Sequence, residues 1–215
     1  MSEKSIKPTK KYYDYISVGN RTKQTAYFVQ QHDKNRIFEE LLKTLQNMQI
    51  IVLVKSKRNA DEIMRHLNTK EIKSISVHGN HRVAQIEDAQ KSFNSKETKI
   101  LITTNRILET LKLESIHAIV NYDLPLDAPD YFKALLLVDE IGQSISLIDP
   151  EDEGMLATIE LMMKCEMAEV EMEHFEHTAR ETTTPKERTN KPRHKKVAQR
   201  AKKKADIKSK WVPSK

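Results

Sequence analysis

The chain has 215 residues, room for one ordinary domain with appendages, and 38% of them are hydrophobic, enough for one core. Charged residues make up 32%, above the usual share, and the formal net charge is +6. No apolar run approaches the roughly 20 residues that span a bilayer, MSEKSIKPTKKYYDY at the N-terminus has no apolar signal core, and Cys165 as the one cysteine excludes a disulfide scaffold or a cysteine zinc finger; a cytoplasmic protein without a membrane partner is the expectation.

Residues 1–21 read as a lead-in segment. Thr25–Gln30 (TAYFVQ) alternates and is rich in β-formers, which predicts a strand. Asp33 stands where a helix cap belongs, and Ile37, Leu41, Leu42 and Leu45 then make one apolar stripe through Leu45. Ile50–Val54 (IIVLV) is a continuous apolar run of the kind buried on both faces. Ser56 is placed to cap a helix over 57–68, with Ala60, Ile63, Met64 and Leu67 inward. Lys73–Val77 predicts a strand, Val83–Phe93 a helix, and Lys99–Thr103 (KILIT) and Ile116–Val120 (IHAIV) two more buried strands. A helix near 129–139 and a strand at Ser144–Ile148 complete the pattern.

Strands alternating with helices at this spacing predict right-handed βαβ units. The expected class is therefore α/β: a doubly wound, mostly parallel sheet filling residues 22–160. Ligands on such sheets sit outside the carboxyl ends of the strands, here Lys55–Arg58, His78–His81, Thr104–Arg106 and Asp123–Leu126. From Pro150 the pattern predicts one long helix, with Leu156, Ile159, Met163 and Val170 on one face, continuing into an acidic, Met-rich extension over 161–180. The methionines 155, 162, 163, 167 and 172 read as core filler. The alternative is that residues 155–175 pair with a partner helix, another helicase or a second copy. His174 and His177, with Glu171 and Glu173, share a helical face that can bind metal, but a solvated polar face is the expectation and no metal ligand is assigned. Cys165 reads as a small core residue, and His78 and His81 as loop histidines, solvated unless functional.

Charge is distributed unevenly. Residues 181–215 carry 13 Lys/Arg against 3 Asp/Glu, while 1–180 carry 24 against 28. A segment so poor in large apolar residues is expected to be disordered. Its basic cluster, Lys195, Lys196, Arg200, Lys202, Lys203 and Lys204, is expected to meet nucleic-acid phosphates without sequence preference. A solubilising arm or a dock for an acidic protein is the alternative. Trp211 beside Lys210 can stack on a base. The 215 residues hold no GxxxxGK[ST] phosphate loop and no G-x-S-x-G nucleophile turn.

From Ile16 to Leu161 the chain resembles the second, C-terminal RecA-like domain of DEAD-box RNA helicases, with its basic tail pointing to the RhlE-like branch. ISVGN at 16–20 resembles that domain's lead-in, and IIVLVKSKRNADEIMRHL at 50–67 the segment with motif IV. ISVHGN at 75–80 resembles the HG loop, VAQIEDAQKSF at 83–93 motif IVa, and KILITTN at 99–105 the approach to motif V. VNYDLPLDAPDYF at 120–132 resembles the passage before motif VI, and SISLIDPEDEGML at 144–156 the closing strand and helix.

The resemblance implies that RNA crosses the positions of Lys57, Arg58, Gly79, Gln85 and Thr104. Cations there neutralise a phosphate, Gly79 admits it to the backbone, and Gln85 and Thr104 donate hydrogen bonds. Departures limit the implied activity. Where motif V reads ATDxAARGxD, this chain has TTNRILETLKL, so that Asn105 stands for the acid, Glu109 for the arginine and Lys112 for the last aspartate. Where motif VI supplies arginines to the γ-phosphate, Tyr131–Gly142 reads YFKALLLVDEIG, without an arginine. Ile86 replaces an arginine of motif IVa. The expectation is a non-catalytic RNA-binding protein with no catalytic residue and no cofactor. The alternatives are an interaction module, or a helicase half that works with a separate ATP-binding domain.

Overall fold

The computed structural model describes residues 14–172, 175 and 178. These lie in the first of two units into which the chain divides, 1–178 and 179–215. The basic cluster from Lys195 to Lys204, Trp211, and the His174–His177 pair with Glu173 lie outside the described residues.

The elements follow in the order α1 (Tyr15–Arg21), β1 (Lys23–Phe28), α2 (Lys34–Thr44), β2 (Ile50–Leu53), α3 (Lys57–Thr69), β3 (Ser74–Val77) and α4 (Val83–Asn94). They continue with β4 (Ile100–Thr103), α5 (Asn105–Leu108), β5 (Ile116–Asn121), α6 (Ala128–Leu135), β6 (Val138–Ile148), α7 (Glu153–Met163) and β7 (Ala168–Glu169). The strands make one sheet in the order β3-β4-β2-β5-β6-β1-β7, with every pairing parallel. The expected doubly wound α/β architecture is the one observed.

Alternate residues of the central strands go to opposite faces, as a pleated strand requires. Ile50 and Val52 of β2 pack with Ile37, Phe38 and Leu41 of α2 and Ala60, Ile63 and Leu67 of α3. Ile51 and Leu53 face Ala89 and Phe93 of α4 on the other side. A second cluster on that side joins α1, α6 and α7 through Val18, Phe132, Leu135, Leu156, Ile159 and Met163. Burial on both faces is why β2, β4 and β5 are runs of Ile, Leu and Val.

Three elements depart from the expectations. Within the lead-in, residues 15–21 form α1, capped by the Asp14 carboxylate, which accepts from the Ile16 amide at 3.2 Å. Gly19 lets α1 lie against α7, since a Cβ there would fall 2.9 Å from the Met163 Cβ. The helix expected over 129–139 ends at Leu135, and the chain re-enters the sheet at Val138. Between pairs Ile116–Val138 and Ala118–Gln143 the register shifts, and Gly142 sits where a Cβ would strike the His117 carbonyl at 2.7 Å.

The long C-terminal helix and its 161–180 extension are corrected more fully. α7 ends at Met163, because Lys164 adopts a left-handed conformation with φ 56°. Met167 then returns to the core, its amide held by Glu160 Oε1 at 2.8 Å, and β7 pairs with Thr25 and Ala26 of β1. Met155, Met162, Met163 and Met167 pack into the α1–α6–α7 cluster and Met172 against the α2 face, so these methionines fill core. A continuous partner-binding helix over 155–175 is not what the chain forms. Cys165 is a half-buried neighbour of the same cluster.

Candidate nucleic-acid interface

The carboxyl ends of β2, β3 and β4 bring three short segments together. Ser56 caps α3 by accepting from the Asn59 amide at 3.1 Å, which places Lys57 in the first turn, facing the loop after β3. Its Nζ donates to Asn80 Oδ1 at 2.8 Å. A Cβ on Gly79 would stand 3.6 Å from the Lys57 Nζ and 3.8 Å from Ile107 Cδ1 of α5. Gly79 has no positive φ, so its distinction is the space it leaves. Thr104 begins α5, its carbonyl accepting from Ile107 and Leu108 at 3.0 Å. Lys57, Gly79 and the Thr104–Ile107 turn are therefore neighbours on one surface patch, in which Lys57, Gly79 and Arg106 are exposed.

Two predicted residues do not join this patch in the same way. Arg58 points along α3 and pairs with Glu62 at 2.8 Å, its side chain almost wholly exposed. The Glu62 hydrogen bond and charge hold its pKa above the ordinary arginine value. Gln85 turns its Oε1 back to accept from the Arg82 amide at 2.9 Å, and so secures the first turn of α4.

Sequence reading missed what holds this edge in place. Lys34 has no solvent exposure, and its ammonium lies 2.8 Å from Asp149, 3.2 Å from Asp123 and 3.4 Å from Asp152. Lys55 adds a second cation against Asp152. Burial alone would lower the Lys34 pKa, but the Asp149 hydrogen bond and the charges of the three carboxylates hold it above the ordinary value. Asp149 is held below the usual carboxylate range, as the Lys34 bond and backbone amides outweigh its burial. Asp123 Oδ2 also accepts from the Lys55 backbone amide at 3.2 Å and from the Asn59 side-chain Nδ2 at 3.1 Å. The buried cluster thus pins the turn that carries Lys57. The signal available was Lys34 itself, which occupies an inward slot of the stripe that continues with Ile37, Phe38 and Leu41.

His78, expected to be solvated, is buried at 4% exposure. Its Nε2 lies 2.9 Å from Asp61 Oδ1, which also accepts from Ser76 Oγ at 2.9 Å. Burial by itself would raise the Asp61 carboxyl, yet the bonds from His78 and Ser76 hold it below its usual range. His81 stacks on His78 with ring centroids 4.0 Å apart, and burial with that neighbour pushes its pKa down.

On the α6 side, Glu109 and Asp130 both accept from Lys133 Nζ, each at 2.8 Å. The Asp130 bond first, then that of Glu109, holds the Lys133 pKa above the ordinary lysine value. Leu135 is buried and Leu136 packs on the same cluster, leaving Leu137 alone of the three exposed, at 39%. These leucines do not form an open apolar patch. Arg21 caps the end of α6 by donating to the Leu135 carbonyl at 3.0 Å.

Residues 33–140 match the family described as helicase conserved C-terminal domain. The chain belongs to that family. It is 32% identical over 145 residues to the ATP-dependent RNA helicase SUB2-2 of Vanderwaltozyma polyspora, covering 66% of this chain and 33% of the relative. It is 30% identical over 156 residues to the ATP-dependent RNA helicase vasa of Drosophila melanogaster, covering 68% of this chain and 23% of vasa. The chain therefore spans about a third or less of the length of these relatives. Among solved structures, a DEAD box protein of Methanococcus jannaschii superposes with a TM-score of 0.67 at 23% identity, over 72% of this chain and 43% of that one. The E. coli DEAD-box protein SrmB, bound to regulator of ribonuclease activity A, gives a TM-score of 0.67 at 16% identity, over 74% of this chain and 98% of that one. With the parallel sheet, these matches make residues 33–140 a helicase conserved C-terminal domain, in a fold shared with DEAD-box proteins.

Proposed function

We propose that this chain is a non-catalytic RNA-binding protein, a degenerate DEAD-box C-terminal domain that grips RNA backbone with help from its basic C-terminal residues. The observation that carries the reading is the surface patch that brings Lys57, Gly79 and the Thr104–Ile107 turn together, at the carboxyl edge where a wound sheet meets its ligands. Lys57 neutralises a phosphate there, Gly79 leaves it room, and the exposed Arg58 and Gln85 flank its path. The cluster Lys195, Lys196, Arg200, Lys202, Lys203 and Lys204 adds sequence-blind attraction. The homologues' names, ATP-dependent RNA helicases, support RNA as the ligand class. The basic run supports the RhlE-like branch, and we expect the protein to act in the cytoplasm.

The non-catalytic half of the reading rests on side chains inside the domain. Glu109 stands at the motif V arginine, and Lys133, which stands in motif VI, is engaged by Glu109 and Asp130. Two carboxylates around one engaged lysine do not replace the arginines that stabilise γ-phosphate transfer.

A second reading, a protein-interaction module, is favoured by one fact: the SrmB chain of similar fold, which this chain nearly covers, is bound to a protein regulator. A third reading is a helicase half that works with a separate ATP-binding domain. The Glu109–Lys133 arrangement speaks against it.

The test is fluorescence anisotropy of a labelled single-stranded RNA with the full chain and with a variant whose six basic residues from Lys195 to Lys204 are changed to Gln. The reading expects at least about a tenfold loss of affinity in the variant and a shallower salt slope. Equal affinity and slope in the two chains would remove the basic cluster from the account.

A further inference from the structure

We propose that Asp61, His78 and His81 form a binding site for a divalent transition-metal ion of the zinc class, on the outer edge of the sheet. Asp61 comes from α3, His78 directly follows the edge strand β3, and His81 comes three residues later. One ligand atom from each lies within 4.8 Å of the others. Two imidazoles and one carboxylate are the donor set that suits Zn²⁺, Ni²⁺ or Co²⁺ rather than Mg²⁺ or Ca²⁺. His78 is buried while Asp61 and His81 are half-buried, so the site has a floor and an open mouth where water completes the coordination.

A structural His–Asp pair would explain His78 and Asp61 but not His81. The Nδ1 of His81 accepts from the His78 amide at 3.2 Å, while its Nε2 has no hydrogen-bond partner among the described residues. The Nδ1 of His78 accepts a longer bond, 3.4 Å, from the Asn80 amide. Each ring thus carries its proton on Nε2. To ligate through Nε2 each ring shifts that proton to Nδ1 and stays neutral. The two Nδ1 acceptor bonds are then given up. The rings, stacked at 20°, also open, since in-plane lone pairs of stacked rings cannot meet at one ion. Loop 78–81 therefore rearranges when the metal binds. This rearrangement, and the nearby Lys57 ammonium on Asn80, set the affinity at a moderate rather than tight level. Ser76 Oγ already steadies Asp61, the outer-shell support that a ligating carboxylate needs. The inference stands without the RNA reading.

The test is isothermal titration of the full chain with ZnCl2, paired with Co²⁺ visible absorption. The variants are His81→Asn, whose side chain lies outside the core, Asp61→Asn, and the double change His174→Asn with His177→Asn. The proposal expects an equivalent of Zn²⁺ bound with a micromolar Kd. It expects that affinity to fall at least about tenfold in His81→Asn and Asp61→Asn and to persist in the His174/His177 variant. Binding that is undiminished in His81→Asn overturns the site, as does the absence of any binding tighter than about 1 mM in the unaltered chain.

Discussion

Lys34→Met tests the cluster beneath the interface. The substitution keeps an unbranched side chain of similar length and removes one charge. In the native chain the ammonium faces three carboxylates at 2.8, 3.2 and 3.4 Å with no solvent exposure. At an effective dielectric of about 20, each pair contributes about 5–6 kcal/mol of attraction. That attraction is offset by repulsion among the carboxylates and by several kcal/mol of desolvation for each ion. Removing the cation leaves Asp123 and Asp149 without it and Asp152 with Lys55 alone. Breaking a buried ion cluster in this way costs about 3–5 kcal/mol. The pH dependence follows from the direction of the shifts. Asp149 has a depressed folded pKa, so its stabilisation is present above the unfolded carboxylate value, about 4, and is lost as pH falls through the lower folded value. Lys34 has a raised folded pKa, so its share is present below about 10.5 and lost as pH climbs through the folded value. In the variant Asp149 loses the Lys34 bond and charge that hold its pKa down, so its carboxyl is more easily protonated as pH falls. Urea denaturation at pH 7 and pH 5 should therefore show a deficit that shrinks at the lower pH. A deficit below about 1 kcal/mol, or one that grows on acidification, would refute the assignment of Lys34 as the cluster's organising charge.

Other changes separate folding from binding. Gly79→Ala adds a Cβ at ordinary contact distance without backbone strain, so thermal stability should stay within about 0.5 kcal/mol while RNA affinity falls; unchanged affinity would exclude close approach of a phosphate. Lys57→Gln should lower affinity and reduce the salt slope by about 1, whereas Arg58→Gln, with Glu62 already paired to it, should do less. Gly19→Ala should destabilise by about 1–3 kcal/mol in chemical denaturation, because its Cβ meets Met163 at 2.9 Å and cannot be relieved by moving a flexible chain end.

The parts of the fold that were legible in the sequence are those set by local pattern. Ile50–Val54, Lys99–Thr103 and Ile116–Val120 are largely apolar runs too short for helices, and they form β2, β4 and β5, three adjacent inner strands of the sheet. The parts that were not legible are set by distant partners. α1 is short and weakly apolar, and it owes its place to Asp14 and to the contact between Gly19 and Met163. α7 stops without a glycine or proline because Lys164 takes the left-handed turn itself, and the pull of Met167 into the core repays that strain. Leu135–Val138 is an apolar run that suits either element, and β5 decides it by pairing with Val138.

The candidate site divides in the same manner. Lys57 and Gly79 were legible through the HG loop and motif IV resemblance, but the Asn80 bridge to Lys57 spans 23 residues and leaves no local trace. Lys34 meets partners 89 and 118 residues away. Only its position within an apolar stripe marked it out.

The most direct measurement of the central claim is a titration of single-stranded RNA into the full chain at about 50 and 200 mM salt, with and without Mg-ATP, while phosphate release is followed. The account predicts binding that weakens steeply with salt, is indifferent to ATP, and is accompanied by no RNA-dependent phosphate release. RNA binding that tightens with ATP, or phosphate released above the blank once RNA is added, would contradict it.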